Sequence, residues 1–455
     1  MKLKIFTAVF FCYLLSACSQ SVLYAPKAEL ATAVDFRNPI VLDSIPLVFN
    51  GDENVDLKYY LDEVRQNNKN LKSLKATVQA LTLGEKVLTA QSGPNLDANL
   101  TGQRERADKD LKPANTVAIG LNAQWVVDIW GKLADESLAA NLQTQQQVLV
   151  YQNAQRVLLA QAMQTWLSFW SAHQQESIVS QREEIAQSLF NITEGAYKNG
   201  TENYEVLIEK RSTVGLLKEQ QVQNRANKEI VLHRLNILRG QSPKLSMPMT
   251  QKSILPVVTS LPTKISATTL AQRPDILSAF KQIEILDAET RAAHKALLPQ
   301  LSLSSSLTRS STSLNDALGT GLLWQLVGGV TQPLFNGGQL RNLAKQKSKE
   351  AESSFFKYEA VVLNAMEEVE SALMKESSLA QQLSFSEIRL KDSENRSQSL
   401  EEAYQDGTVS VQSYLNAQEQ LLMTKTEWII LQESYLSNRI SLALAIGQPL
   451  NGEGD

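Results

Sequence analysis

Catalytic and metal-binding side chains are few and widely separated in this sequence. The three histidines, His173, His233 and His294, stand alone in segments of helical periodicity, and a lone helical histidine is far more often structural than a ligand or a base. The chain contains two cysteines, and it has no HExxH motif or phosphate-binding loop. A formal net charge of -4 without a basic stripe also disfavours a nucleic-acid partner. We therefore expect no enzyme, no cofactor and no metal site.

Cys18 is the residue whose surroundings predict a covalent modification. Two lysines and an apolar run over residues 5–15 precede it, and such a run is too short to span a bilayer but suits a signal peptide. Residues 15–18, LSAC, resemble the bacterial lipobox, in which cleavage before the cysteine exposes a thiol that receives lipid. Ser19 then favours sorting to the outer membrane, and Cys18 would be the only mature cysteine. An ordinary signal peptide with a chance cysteine remains the alternative.

The two halves of the sequence resemble each other. Residues 194–201 read EGAYKNGT and residues 401–408 read EEAYQDGT, 207 positions apart, and Gly131 and Gly240 recur at the same offset as Gly338 and Gly447. Nearer the beginning of each half, matching residues are about 205 positions apart. The offset therefore changes from 205 to 207 between Pro94 and Gly131, where a loop can accommodate two extra residues. Both halves therefore share one supersecondary plan.

Prolines are absent between residues 114 and 242 and between residues 334 and 448. Since an interior proline breaks a helix, each stretch predicts a long helix of about 67 residues, a turn at Gly200 or Gly407, and a return helix. At 1.5 Å per residue the longer arm reaches about 100 Å. Helices of that length indicate a rod, a coiled coil or a tall helical barrel. The tyrosine and threonine flanking each turn glycine suggest more than a well-capped turn.

Before each long arm the period changes from 3.6 to 2. In residues 116–129, TVAIGLNAQWVVDI, odd positions are apolar, and similar alternation occurs at residues 95–101, 301–308 and, less regularly, 321–333. Such segments are typical of membrane β-barrels, although half-buried strands of a soluble sheet alternate in the same way. Two hairpins give four strands, too few to enclose a pore, and hydrocarbon does not tolerate open strand edges. Several chains must then complete the barrel, with eight strands from a dimer or twelve from a trimer.

Taken in order, these features resemble the TolC family of outer-membrane factors, in particular the lipoprotein branch that serves tripartite efflux pumps. The resemblance covers the chain from Cys18 to the C-terminus. It rests on the lipobox, the helix-start motif Arg273, Pro274 and Asp275, the strand-helix junctions Asp128, Trp130, Gly131, Pro333, Phe335, Gly337 and Gly338, the two Tyr-x-x-Gly-Thr turns, and Gly447.

The resemblance implies a mainly α fold with a membrane β-barrel. Each chain would supply a long α-helical barrel section and four transmembrane strands in two structural repeats, and a homotrimer would close a twelve-stranded barrel. The implied segments are a signal peptide (1–17), an equatorial segment (18–56), a first repeat (57–240, hairpin about 94–129, helical hairpin 132–240), an equatorial linker (241–268), a second repeat (269–447, hairpin about 299–333, helical hairpin 339–447) and a tail (448–455).

The implied function is a passive outer-membrane channel that exports drugs, toxic compounds or metal ions. Its partners would be a periplasmic adaptor, an inner-membrane RND-type transporter and outer-membrane lipid. The periplasmic tips would dock the adaptor through Tyr197, Gly200, Thr201, Glu202, Tyr404, Asp406, Gly407 and Thr408.

The chain departs from the family pattern at two places. Lys69-Asn70 stands where the second repeat has Pro274-Asp275, which predicts a degraded first helix start. Glu202 follows the first tip glycine, whereas Val409 occupies the equivalent position in the second repeat. Two other functions remain open: a channel for type I secretion, and a coiled-coil lipoprotein without a pore.

Overall fold

The computed structural model describes residues 55–106, 113–245, 270–313, 319 and 321–447. The signal peptide, Cys18, the tail and most of both equatorial segments lie outside these ranges. Within the described ranges, eleven elements follow one another: α1 (Val55–Asn67), α2 (Lys69–Gln91), β1 (Asn95–Glu105), β2 (Ala114–Val127), α3 (Lys132–Lys198), α4 (Tyr204–Leu238), α5 (Pro274–Lys295), β3 (Gln300–Ser311), β4 (Leu323–Thr331), α6 (Gln339–Gln405) and α7 (Val411–Ala445).

The long helices repeat with the same lengths. Both α3 and α6 have 67 residues, and both α4 and α7 have 35. At 1.5 Å per residue the long helices extend for about 100 Å. Helix α1 begins at Val55, two residues before the expected start of the first repeat. Among the helices in the described ranges, none is both long enough and apolar enough to cross a membrane.

The four strands form one antiparallel sheet in the order β1-β2-β3-β4, so β1 and β4 are its edges. Its register places one row of Ala98, Leu121, Leu307 and Trp324 across all four strands. The adjacent row, one residue along each strand, contains Asp97, Asn122, Ser306 and Gln325. Because successive side chains point to opposite faces, one face of the sheet is apolar and the other polar, as the alternation predicted.

The strand pairing also locates the change of offset between the repeats. Asn95 pairs with Gln124, and Gln300 pairs with Thr331. The first strands of the two hairpins are therefore 205 positions apart and the second strands 207. The two extra residues of the second repeat thus lie in the connection between β3 and β4.

Helix packing places the two repeats side by side. Helix α3 packs against α1, α2, α4, α5 and α7, whereas α6 packs against α5 and α7. The main apolar core lies where α1 and the ends of α4 and α7 meet the middle of α3. The Tyr60 and Trp166 rings lie 5.3 Å apart there, and the Tyr60 hydroxyl donates to the Leu235 carbonyl at 3.2 Å. Burial raises the pKa of this hydroxyl above its ordinary value.

Candidate functional site

Both tip turns are Schellman motifs, which close a helix C-terminus through a left-handed residue. At the first tip, Gly200 has φ +75, its N–H donates to the Tyr197 carbonyl at 3.0 Å, and the Thr201 N–H donates to Ala196 at 2.9 Å. The Thr201 hydroxyl donates to the same Ala196 carbonyl at 3.0 Å. The repeated threonine is therefore explained by the turn itself, which corrects the expectation that a plain turn would not need it.

The second tip repeats this geometry with its own residues. Gly407 has φ +70 and donates to Tyr404 at 3.0 Å, and both donors of Thr408 bond the Ala403 carbonyl at 2.9 Å. Asp406 is the last residue before this glycine and has a right-handed backbone. Nothing lies within 4 Å of a Cβ built on either glycine. The chain thus leaves open space around both turns.

A pair of tyrosines joins the two helices at each tip. The Tyr197 ring lies 5.8 Å from that of Tyr204, and the Tyr404 ring stacks on that of Tyr414 at 5.5 Å with an interplanar angle of 2°. Tyr204 and Tyr414 are not at equivalent positions of the repeat, so the sequence offset could not reveal them. Burial, together with Glu401 and Tyr404, raises the pKa of Tyr414. Each helical hairpin is thus held at its end by aromatic contact.

The tip acids differ between the repeats. At the first tip, the Glu202 carboxylate accepts a hydrogen bond from the Asn203 N–H at 3.0 Å. At the second tip, Val409 stands in place of this acid, and the next residue, Ser410, caps α7 by accepting from the Ser413 N–H at 3.2 Å. Within the described ranges, no group of three or more histidine, cysteine, aspartate or glutamate side chains could hold a metal ion.

The first strand-helix junction is closed by side chains on both sides. Asp128 accepts from the Ala134 N–H at 2.9 Å, which caps the start of α3, and the Trp130 indole donates to the Pro299 carbonyl at 2.7 Å. Gly131 takes φ +72, and its carbonyl accepts from Lys295 at 3.1 Å. The junction therefore ties the first repeat to the start of β3 in the second.

A buried carboxylate reinforces this connection, and sequence reasoning missed it. Asp135, in the first turn of α3, pairs with Lys295 at 2.6 Å and with Arg291 at 3.1 Å, both from the last turns of α5. Arg291 also pairs with Asp287. The acid lies at a helix N-terminus and the bases near a helix C-terminus, so both helix dipoles favour the arrangement.

The second junction is more open. Gly337 and Gly338 are both left-handed, at φ +64 and +84, and Gln339 N–H donates to Asn336 at 3.2 Å. Pro333 and Phe335 are exposed, and Phe335 is 92% exposed. The two junctions therefore share left-handed glycines but not their side-chain contacts.

In the helix-start motif, the buried Arg273 forms ion pairs with two carboxylates. Arg273 donates to both carboxylate oxygens of Asp275, at 3.0 and 2.7 Å, to Glu368 at 2.8 Å and to the Ala445 carbonyl at 2.7 Å. Pro274 occupies the first turn of α5. Burial would lower the pKa of Arg273, but its bonds to Asp275 and Glu368 raise it; burial would likewise raise the pKa of Asp275, but Arg273 lowers it. The motif joins the start of α5 to α6 and to the end of α7.

In the first repeat, a different side chain makes the equivalent connection between the start of α2 and the end of α4. Asn68 occupies the place of Arg273: its side-chain oxygen accepts from the Asn70 and Leu71 N–H groups, at 3.0 and 3.1 Å, and its amide donates to the Leu238 carbonyl at 2.8 Å. Leu238 and Ala445 are the last residues of the equivalent helices α4 and α7. The expectation of a degraded helix start was therefore wrong, because an asparagine cap replaces the arginine.

Comparison with known proteins decides the family. The model of the outer membrane efflux protein family matches residues 60–241 and 265–448, one match for each repeat. This chain belongs to that family.

Individual relatives cover most of the chain. The cation efflux system protein CusC of Escherichia coli O157:H7 is 26% identical over 86% of this chain and 85% of its own length, and the solvent efflux pump outer membrane protein SrpC of Pseudomonas putida is 24% identical over 85% and 84%. The crystal structure of the Campylobacter jejuni CmeC outer membrane channel superposes with a TM-score of 0.81 at 22% identity, covering 89% of each chain. The protein is an outer-membrane efflux channel, and the described part of its chain is largely helical.

Proposed function

We propose that three copies of this chain form the outer-membrane conduit of a tripartite efflux pump. The observation that carries the proposal is the four-stranded sheet with one apolar face, mounted on helices of about 100 Å. Strand edges in hydrocarbon must be paired. A ring of three chains, each joining β4 to β1 of the next, gives twelve strands and leaves no edge.

The long helices extend the wall away from the membrane. Both α3 and α6 begin just after a strand and end at a tip, so both tips lie at the end remote from the sheet. A periplasmic adaptor would dock there, against Tyr197, Gly200, Thr201, Glu202, Tyr404, Asp406, Gly407 and Thr408, and connect the channel to an inner-membrane RND-type transporter. The relatives named for cation and for solvent efflux support export of metal ions or of organic compounds.

Cys18 would carry the lipid anchor. Replacing it in the full chain by serine should abolish incorporation of labelled fatty acid, because no other cysteine remains once residues 1–17 are removed. The barrel itself should retain part of the membrane association, since two anchors act together. Labelling of the Cys18→Ser protein would contradict the assignment.

Two measurements on the purified protein test the conduit. Native mass measurement in detergent should give three chains, and the same preparation should produce stepwise conductance in planar bilayers. A trimer without conductance would indicate a coiled-coil spacer, and a conducting monomer would contradict the assembly. In cells, deletion of the gene should raise sensitivity to metal cations or to organic solvents.

A further inference from the structure

The repeat supplies a template for contacts that a single chain cannot complete. Inside the chain, one of the contacts between the repeats is the packing of α3 against α7, which we name the internal seam. By the 207-residue offset, α3 corresponds to α6 and α7 corresponds to α4. A ring of identical chains would therefore contain a second seam of α6 against α4 of the partner subunit, here named the subunit seam.

The exposed fractions of equivalent residues in the two repeats show which helix faces are free to form the subunit seam. On the long helices, Leu167 is 1% exposed and Ile178 is 3% exposed, whereas their equivalents Met374 and Phe385 are 76% and 66% exposed. On the return helices the order is reversed, because Ile429 is 1% exposed and its equivalent Val222 is 70% exposed. Leu167 belongs to the core cluster that includes Leu436 of α7, so the internal seam contributes to its cover.

The exposed apolar side chains of α6 occupy the positions that are buried on α3, so we expect a helix to pack against them as one packs against α3. Met374 and Phe385 lie 11 residues apart on α6, close to three full helical turns, so they share one stripe of its surface. A second copy of this chain offers the matching helix, since its α4 has the same length and the same direction as the α7 that covers α3. The occupant of the stripe is then fixed by the repeat.

Polar contacts fix the register of the internal seam. Arg182 pairs with Glu419 at 2.7 Å, Ser168 donates to Glu433 at 2.7 Å, and the Gln164 amide donates to the Ser437 carbonyl at 3.4 Å. From one pair to the next, the residue number on α3 rises by as many positions as the residue number on α7 falls, so both residues move toward the tip together. This is a single antiparallel register over residues 164–182 of α3.

We propose that the subunit seam has the same register, with Phe385 packed against Leu216 of the partner subunit. The neighbouring contact brings Leu379 against Val222 of the partner subunit. This inference rests on the proposed ring of three chains and adds its residue-level contacts.

The two seams differ in chemistry. The offset replaces the Arg182–Glu419 ion pair by Arg389 and Ser212 of the partner subunit, and the Ser168–Glu433 bond by Lys375 and Ala226 of the partner subunit. Those polar links of the internal seam therefore have no counterpart between subunits. Apolar burial at Phe385 and Leu379 holds the subunit seam instead, which is why these side chains are large.

Cysteine pairs test the register in the full chain in outer-membrane preparations. The sequence contains two cysteines, Cys12 and Cys18, and neither is among the residues exchanged here. The variant Phe385→Cys with Leu216→Cys, treated with a short dimaleimide, should give covalent dimers and trimers in denaturing electrophoresis. The matched control, Phe385→Cys with Ile230→Cys, moves the second cysteine 14 residues along α4, about 21 Å, and should give none.

Native mass measurement of the same variants separates the possible failures. Trimers in which the 385/216 pair does not crosslink, or in which the 385/230 pair crosslinks instead, would overturn the register while leaving the trimer in place. Monomers would overturn both. A second pair, Leu379→Cys with Val222→Cys, repeats the test if the first variant does not accumulate, and it too should crosslink only between chains.

Discussion

Two glycines with the same backbone angle should respond very differently to the same substitution. Gly200, at the first tip, has φ +75 and an added Cβ meets no atom within 4 Å. Gly240, after α4, has φ +74, but an added Cβ would lie 2.4 Å from the Asn67 carbonyl oxygen and 3.1 Å from its carbon. Both end their helices with Schellman bonds of 2.9 to 3.0 Å.

The expected magnitudes follow from these surroundings. Gly200→Ala carries only the left-handed strain, about 1–2 kcal/mol, and the loss is confined to the last turn of α3. Gly240→Ala carries the same strain and must also displace the Asn67 backbone between α1 and α2, for which overpacking of a core suggests about 1–3 kcal/mol more. The second variant should therefore be the less stable one.

Thermal unfolding followed by far-UV circular dichroism, at matched protein concentration because assembly contributes to stability, measures the difference. Hydrogen exchange should show faster opening near residue 200 in the first variant and near residues 64–71 in the second. Equal unfolding temperatures for the two variants, or a lower one for Gly200→Ala, would refute the argument that packing and not backbone angle separates them.

Further expectations concern the tips and the buried charges. Gly200→Val combined with Gly407→Val should leave trimers and membrane insertion intact but impair export and adaptor crosslinking; unchanged resistance at normal expression would count against the tip assignment. Asp135→Asn should lower stability by about 1–3 kcal/mol, less than for a fully buried ion pair because Lys295 and Arg291 are 29% and 30% exposed, in denaturant titrations where exposed Glu352→Gln has no measurable effect. The lowered pKa of Asp275 means that its stabilisation is present above about pH 3.9 and is lost as pH falls through the folded-state pKa. Wild type should accordingly exceed Asp275→Asn in stability at pH 6, and the gap should close as acid is added; a gap independent of pH would show that charge is not its cause.

Local features of the fold could be predicted because they depend on neighbouring residues. The absence of proline predicted that α3 and α6 could be long, and glycine marked the left-handed turns at residues 200 and 407 where these helices end. Alternation identified the four strands, since a strand with one apolar face must repeat every two residues.

Contacts between distant segments needed the tertiary structure. Asn68 caps α2 and bonds Leu238, a role that its sequence neighbours do not announce. Asp135 meets Lys295 across 160 positions, and Tyr414 stacks on Tyr404 without a counterpart at the same offset in the first repeat.

The sequence by itself determined that this protein has two copies of one plan, with helices too long for a compact globule and strands too few for a closed pore. Only the tertiary structure decided which copies of an apolar residue are covered. Leu167 and Met374 occupy equivalent positions and have similar hydrophobicity, yet α7 lies beside α3 and leaves the outer stripe of α6 open. Periodicity records which side of a helix is apolar, whereas burial depends on what the rest of the molecule places against that side.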